Sequence, residues 1–176
     1  MEYTLFSIPF LLAVIYQDFK SRTISVFLPI IIFLLFFGVG FYQIRESIFS
    51  NLLINFLFLL LQWILLKFYF YFRYRQFVIA DRFIGRGDFI FFIALTPAFS
   101  VINFLFLFVG ALVFSLIIGL IYILKTKQLK STEIPLAGLF AMYFLVIFLV
   151  NSFLNLPFHL LNDDRFIHFL DLWKTM

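Results

Sequence analysis

The sequence predicts an all-α membrane protein with six transmembrane helices. Three observations carry that reading. Hydrophobic residues make up 65% of the 176 residues and charged residues only 12%, against roughly 45–50% and about 25% in soluble domains. Mean hydropathy is +1.12. Finally, the basic residues fall between apolar runs in alternate loops. So few charges cannot cover so much apolar surface in water. A soluble enzyme, a disulfide scaffold and a disordered tail are therefore excluded. At ~20 residues per span plus short loops, the length allows about six spans in one domain.

The spans follow in order along residues 1–176, read as a single integral membrane domain. Span 1 covers about 3–17, interrupted by Pro9. It lacks the basic start and small-residue end of a cleaved signal and reads as a mature helix. Span 2 covers about 24–42, with Pro29 in its first turns, and span 3 about 51–71. A polar stretch with Arg73, Arg75, Asp81, Arg82 and Arg86 leads into span 4, a short one over about 88–98. Pro97 lets it stop early. Span 5 covers about 101–124 and span 6 about 134–153. The tail from Asn155 holds Asp163, Asp164, Arg165 and Asp171 and reads as an interfacial amphipathic segment. The 31 phenylalanines read as a lipid-facing surface written in Phe, Ile and Leu. Gly38, Gly40, Gly110, Gly119 and Gly138 read as sites of close helix packing.

Charge sets the expected orientation. The loops after spans 1, 3 and 5 hold Lys20 and Arg22; Lys67, Arg73, Arg75, Arg82 and Arg86; then Lys125, Lys127 and Lys130. The opposite side holds Arg45, Arg165 and Lys174. The positive-inside rule puts the three basic loops in the cytoplasm and both termini outside, in a cell's inner (cytoplasmic) membrane. Anionic lipid is the nearest partner for these charges, and no nucleic acid is expected. Cysteine is absent, and His159 and His168 do not make a zinc site by themselves. No metal and no cofactor are expected.

Two acids stand out by position. Asp18 ends span 1, and Asp88 opens span 4 within Gly85-Arg86-Gly87-Asp88. Both lie at the membrane edge on the same face, where a carboxylate is costly. Bland roles exist for each: Asp18 could pair with Arg22 four residues on, and Asp88 could cap span 4. Gly85 and Gly87 weaken the cap reading, because they offer unusual backbone conformations and close approach to another chain. Two carboxylates in one wet pocket cannot both ionise comfortably and titrate as a unit. One can then take a proton from water while the other polarises a carbonyl. The same pair could instead carry protons or cations.

Asp18-Phe19-Lys20-Ser21-Arg22-Thr23-Ile24, following an apolar helix, resembles the D-x-(K/R)-x-R-x-I-P motif of the type IV prepilin peptidases. Gly85-Arg86-Gly87-Asp88 resembles their G-x-G-D signature, and Glu133-Ile134-Pro135-Leu136-Ala137-Gly138 resembles their I-P-F-x-P segment. The order and span positions agree across nearly the whole chain. The resemblance implies a membrane-embedded aspartic endopeptidase that removes short basic leaders from prepilin-like or preflagellin-like proteins. It implies that Asp18 and Asp88 are catalytic, with Gly85, Gly87, Lys20 and Arg22 completing the motifs.

There are departures. Ser25-Val26 follows Ile24 where the family often has Pro-Asn, and Ile90 stands where many members have lysine. The N-terminal cytoplasmic insert of larger bacterial members, with its cysteines and N-methyltransferase activity, has no counterpart. The chain is thus more similar to the compact preflagellin peptidases, which implies cleavage without N-methylation. Two other classes stay open: a small cation- or proton-coupled transporter, and a non-catalytic membrane subunit that binds pilin-like helices. A transporter needs polar residues through the bilayer, and span 3 offers only Asn55 and Gln62. Asp81 and Glu133 are the remaining acids able to meet a basic leader on the cytoplasmic face.

Overall fold

A computed structural model describes residues 6–75, 85–126, 135–153, 161 and 163. Asp81, Arg82, Lys127, Lys130, Glu133, Ile134, His159, Asp164, Arg165, His168, Asp171 and Lys174 lie outside the described residues, as do the side chains of Arg86 and Lys125. The described chain is all helical: α1 Ile8–Ser21, α2 Phe27–Gln43, α3 Ile48–Tyr74, α4 Arg86–Leu95, α5 Val101–Thr126 and α6 Leu136–Phe153. A 3₁₀ turn, Thr96–Ala98, continues α4.

Three helices contain apolar stretches long enough to cross a membrane: Ile48–Arg73, Val101–Tyr122 and Leu136–Phe153. The shortest reaches about 27 Å at 1.5 Å per residue, against a hydrocarbon core of about 30 Å. The other helices are shorter, and α4 alone covers only about 15 Å. Three such helices are compatible with a membrane protein.

Helix ends follow local chemistry. Pro9 does not interrupt α1; it sits in the first turn, where a missing N–H costs nothing. The helix then runs past Asp18 and stops at Arg22, which turns left-handed at φ 56°. Asp18 is therefore a residue of the last helical turn rather than a loop acid. Pro97 falls in the 3₁₀ turn and ends α4, as its ring requires.

The core lies where α1, α5 and α4 pack on α6, and α2 packs on α4. It is built largely of phenylalanine, so this residue marks the core as well as the outer face expected for it, where Phe27, Phe72, Phe106 and others are exposed. Phe91, Phe99, Phe104, Phe140, Phe144 and Phe148 are fully buried. Phe92 and Phe140 lie 4.5 Å apart by ring centroids, Phe99 and Phe144 5.2 Å. Ala94, Ala98, Ala111, Ala137 and Ala141 leave room for the rings. Large beside small is what lets helices interlock when lipid offers no hydrophobic contrast. Gly40, against Ile48, and Gly110, against the Tyr143 hydroxyl, are close-packing sites as expected, whereas Gly38 faces open space.

One polar side chain ties the bundle together. Asn55 is 1% exposed. Its Nδ2 donates to the carbonyls of Thr96 and Phe99, both at 3.0 Å. The two carbonyls belong to the 3₁₀ turn and to the residue that follows it. Asn55→Leu keeps the volume and strips both carbonyls of their donor, a loss of about 1–3 kcal/mol. Thermal unfolding in detergent should show a lowered Tm; an unchanged Tm would mean the clamp carries no stability.

Candidate functional site

Three stretches of chain meet at one end of the bundle: the last turn of α1 with the loop after it, the first turn of α4, and the first turn of α6. The start of α6 explains why. Leu139 N–H donates to the Pro135 carbonyl at 3.0 Å, the first bond of the helical ladder. Pro135 thus takes the N-cap place, and the amides of Leu136, Ala137 and Gly138 have no acceptor within the helix. A Ser, Thr, Asp or Asn at that place would accept from the second or third helical amide. Proline has no side-chain oxygen to offer. Two carboxylates from other helices supply it. Gly138 N–H donates to Asp18 Oδ2 at 2.6 Å, and Ala137 N–H donates to Asp88 Oδ1 at 3.1 Å.

Consecutive amides therefore hold the two acids side by side, since neighbouring Cα atoms are about 3.8 Å apart. The carboxylates are close enough to repel each other. The positive end of the α6 dipole faces both and offsets part of that repulsion. Asp18 is only 4% exposed, and Asp88 is half-buried. Asp88 is held twice, because its Oδ2 also accepts from Gly85 N–H at 3.1 Å. That is the cap on α4 anticipated from sequence, with the other oxygen turned to α6. Asp18 does not take the helical ion pair with Arg22. Its carboxylate goes to Gly138, while Arg22 acts on it from a distance and donates its own N–H to the Asp18 carbonyl at 3.1 Å.

The other motif residues divide into supports and bystanders. Gly85 is the extended N-cap of α4, at φ −61° and ψ 143°. A Cβ there would lie 3.1 Å from Asp88 Oδ2. A Cβ on Gly87 would lie 3.5 Å from the Ile24 Cβ, an ordinary contact. No described glycine has positive φ. The conformational latitude anticipated at Gly85 and Gly87 is not used. The tight place is Gly138, whose Cβ would lie 3.0 Å from the Phe19 ring and 3.1 Å from Asp18 Oδ2. Lys20 Nζ donates to the Tyr16 hydroxyl at 2.8 Å on the exposed side of α1, and Arg22 is also exposed.

Sequence reasoning missed the amides of Ala137 and Gly138, because a backbone donor leaves no mark on residue type. The signal available was Pro135, a helix start that cannot cap itself. It also missed Gln17, whose Oε1 accepts from Ser25 N–H at 2.9 Å. That bond folds the loop so that Ile24 reaches Gly87. Among the described residues, no three His, Cys, Asp or Glu side chains cluster as metal ligands. Asp163 lies far from the pair along the chain and caps α5, accepting from the Ser100 hydroxyl and, at 3.5 Å, from Ile102 N–H.

No family model, curated protein or solved structure matches this chain.

Proposed function

We propose that this chain is a membrane-embedded aspartic endopeptidase acting at the cytoplasmic face of the cell membrane. Its substrates are prepilin-like or preflagellin-like proteins, from which it removes short leaders without N-methylation. In this reading all six helices lie in the bilayer, with both termini outside the cytoplasm. The observation that carries the reading is the seating of Asp18 and Asp88 on consecutive amides of α6. The likeness of the three converging segments to the prepilin peptidase motifs supports it.

The chemistry needs one ionised and one protonated carboxyl. The ionised one takes a proton from water as the water oxygen attacks the scissile carbonyl carbon. The protonated one donates to the carbonyl oxygen. Collapse of the tetrahedral adduct passes a proton to the amide nitrogen, and the C–N bond breaks. The roles of the two acids are left unassigned, since they titrate as a pair. The α6 amides hold both acids before substrate arrives, so little reorganisation is required.

A proton- or cation-coupled transporter would need a polar path beyond the pair. Asn55, one of two candidates in α3, is spent on two backbone carbonyls, which counts against that reading. The test is cleavage in liposomes of leader-bearing pilin-like peptides by the wild type and by Asp18→Asn and Asp88→Asn. Cutting by the wild type alone is the expected result. Equal cutting by all three would end the peptidase reading.

A further inference from the structure

On α3, Leu59, Gln62, Trp63 and Leu66 recur at helical spacing and share one face. That face forms one wall of a half-open apolar cavity of about 360 Å³, whose other walls include Phe89 and Phe92 of α4, Leu112 of α5 and Leu136 of α6. Gln62 is the sole polar side chain among the lining residues. Apolar cavities of this kind reject water and accept hydrocarbon. In a bundle that lies in the bilayer such an opening faces lipid hydrocarbon, and an acyl chain is the guest at hand.

Charge narrows the guest further. Lys67, one turn after Trp63, carries its ammonium 3.7 Å from the Trp63 ring centroid. The indole face holds the cation by its quadrupole. This sets a positive charge at the end of the cavity nearest the C-terminal end of α3, where Arg73 and Arg75 follow. Basic pockets between membrane helices receive anionic headgroups.

We propose that this cavity binds one acyl chain of an anionic phospholipid, with the headgroup held by Lys67. Phe89 follows Asp88 and Leu136 precedes Ala137, so the bound chain packs against both helix starts that hold the carboxylates. The site does not depend on the cleavage chemistry, and its test does not use activity.

Trp63 reports occupancy directly. The full chain carrying Trp173→Phe has Trp63 as its sole tryptophan. It is reconstituted in phosphatidylcholine vesicles with graded amounts of phosphatidylglycerol or phosphatidylcholine brominated on the acyl chains. The expected result is half-quenching of Trp63 by the brominated anionic lipid at roughly five-fold lower mole fraction, about what one nearby cation is worth. Lys67→Gln should abolish that preference, and Leu112→Phe, which narrows the cavity, should weaken quenching by both lipids. Equal quenching by the two lipids in the parent would overturn the proposal, since it reports bulk contact alone. So would a preference that survives Lys67→Gln. Protection of Trp63 from both lipids by an added apolar peptide would assign the cavity to a protein segment and equally overturn it.

Discussion

Asp18→Asn and Asp88→Asn should each reduce leader cleavage by roughly 10²–10⁴-fold, the range that a positioned acid or base supplies. Asparagine is the informative replacement. Its carboxamide keeps one oxygen, so Gly138 N–H retains its acceptor at residue 18, and at residue 88 one of the two amides of Ala137 and Gly85 does. Alanine removes that oxygen and leaves a buried amide unsatisfied, at about 1–3 kcal/mol. Asp18→Ala should therefore lower the Tm in detergent more than Asp18→Asn, because Asp18 is the more deeply buried acid. The comparison separates two roles. If the acids only cap α6, asparagine preserves both stability and activity. If they also do chemistry, asparagine preserves the fold and removes the reaction. The wild-type rate should follow a bell-shaped pH profile, because the reaction needs one carboxyl charged and one neutral. A flat profile, or full activity in either asparagine variant, would exclude the two-carboxyl mechanism.

The helices and their order were legible because composition and charge spacing report them directly. Which way each helix faces was not. In a soluble helix the apolar stripe marks the core. Here core and lipid are both apolar, so Phe140 in the core and Phe106 on the surface look alike in sequence. That is why phenylalanine read as a lipid face. Asp18 and Asp88 were legible for the opposite reason, since a carboxylate beside an apolar run stands out by type even where a cap or an ion pair could account for it. Their holders were not, because Ala137 and Gly138 act through main-chain N–H groups that every residue but proline carries. Pro135 stands at the N-cap of α6. The further consequence follows from counting the donors it strands.

Gly138→Ala should cost activity, and Gly87→Ala should not, although Gly87 belongs to the recognisable motif. A Cβ on residue 138 would lie 3.1 Å from Asp18 Oδ2 and 3.0 Å from the Phe19 ring. Phe19 is 49% exposed and has room to swing aside. Asp18 does not, because the amide of this same residue grips its Oδ2 at 2.6 Å. Moving the carboxylate away from the new methyl stretches that bond and shifts Asp18 relative to Asp88. A small misplacement of a reacting group costs up to about 10²-fold in rate, so a loss of roughly ten-fold is expected for alanine and a larger one for Gly138→Val. At residue 87 the new Cβ meets Ile24 at 3.5 Å, an ordinary contact. Replacing a helical glycine there gains up to about 1 kcal/mol of helix propensity. Gly87→Ala should hold or raise the Tm while cleavage stays within about two-fold, a difference of about 0.4 kcal/mol in barrier. Paired Tm and rate measurements decide the matter. Unchanged rates in Gly138→Ala would show that the grip on Asp18 does not position it for reaction. A stable but inactive Gly87→Ala would instead mean that substrate passes over the bare face of α4, close enough that one methyl blocks it.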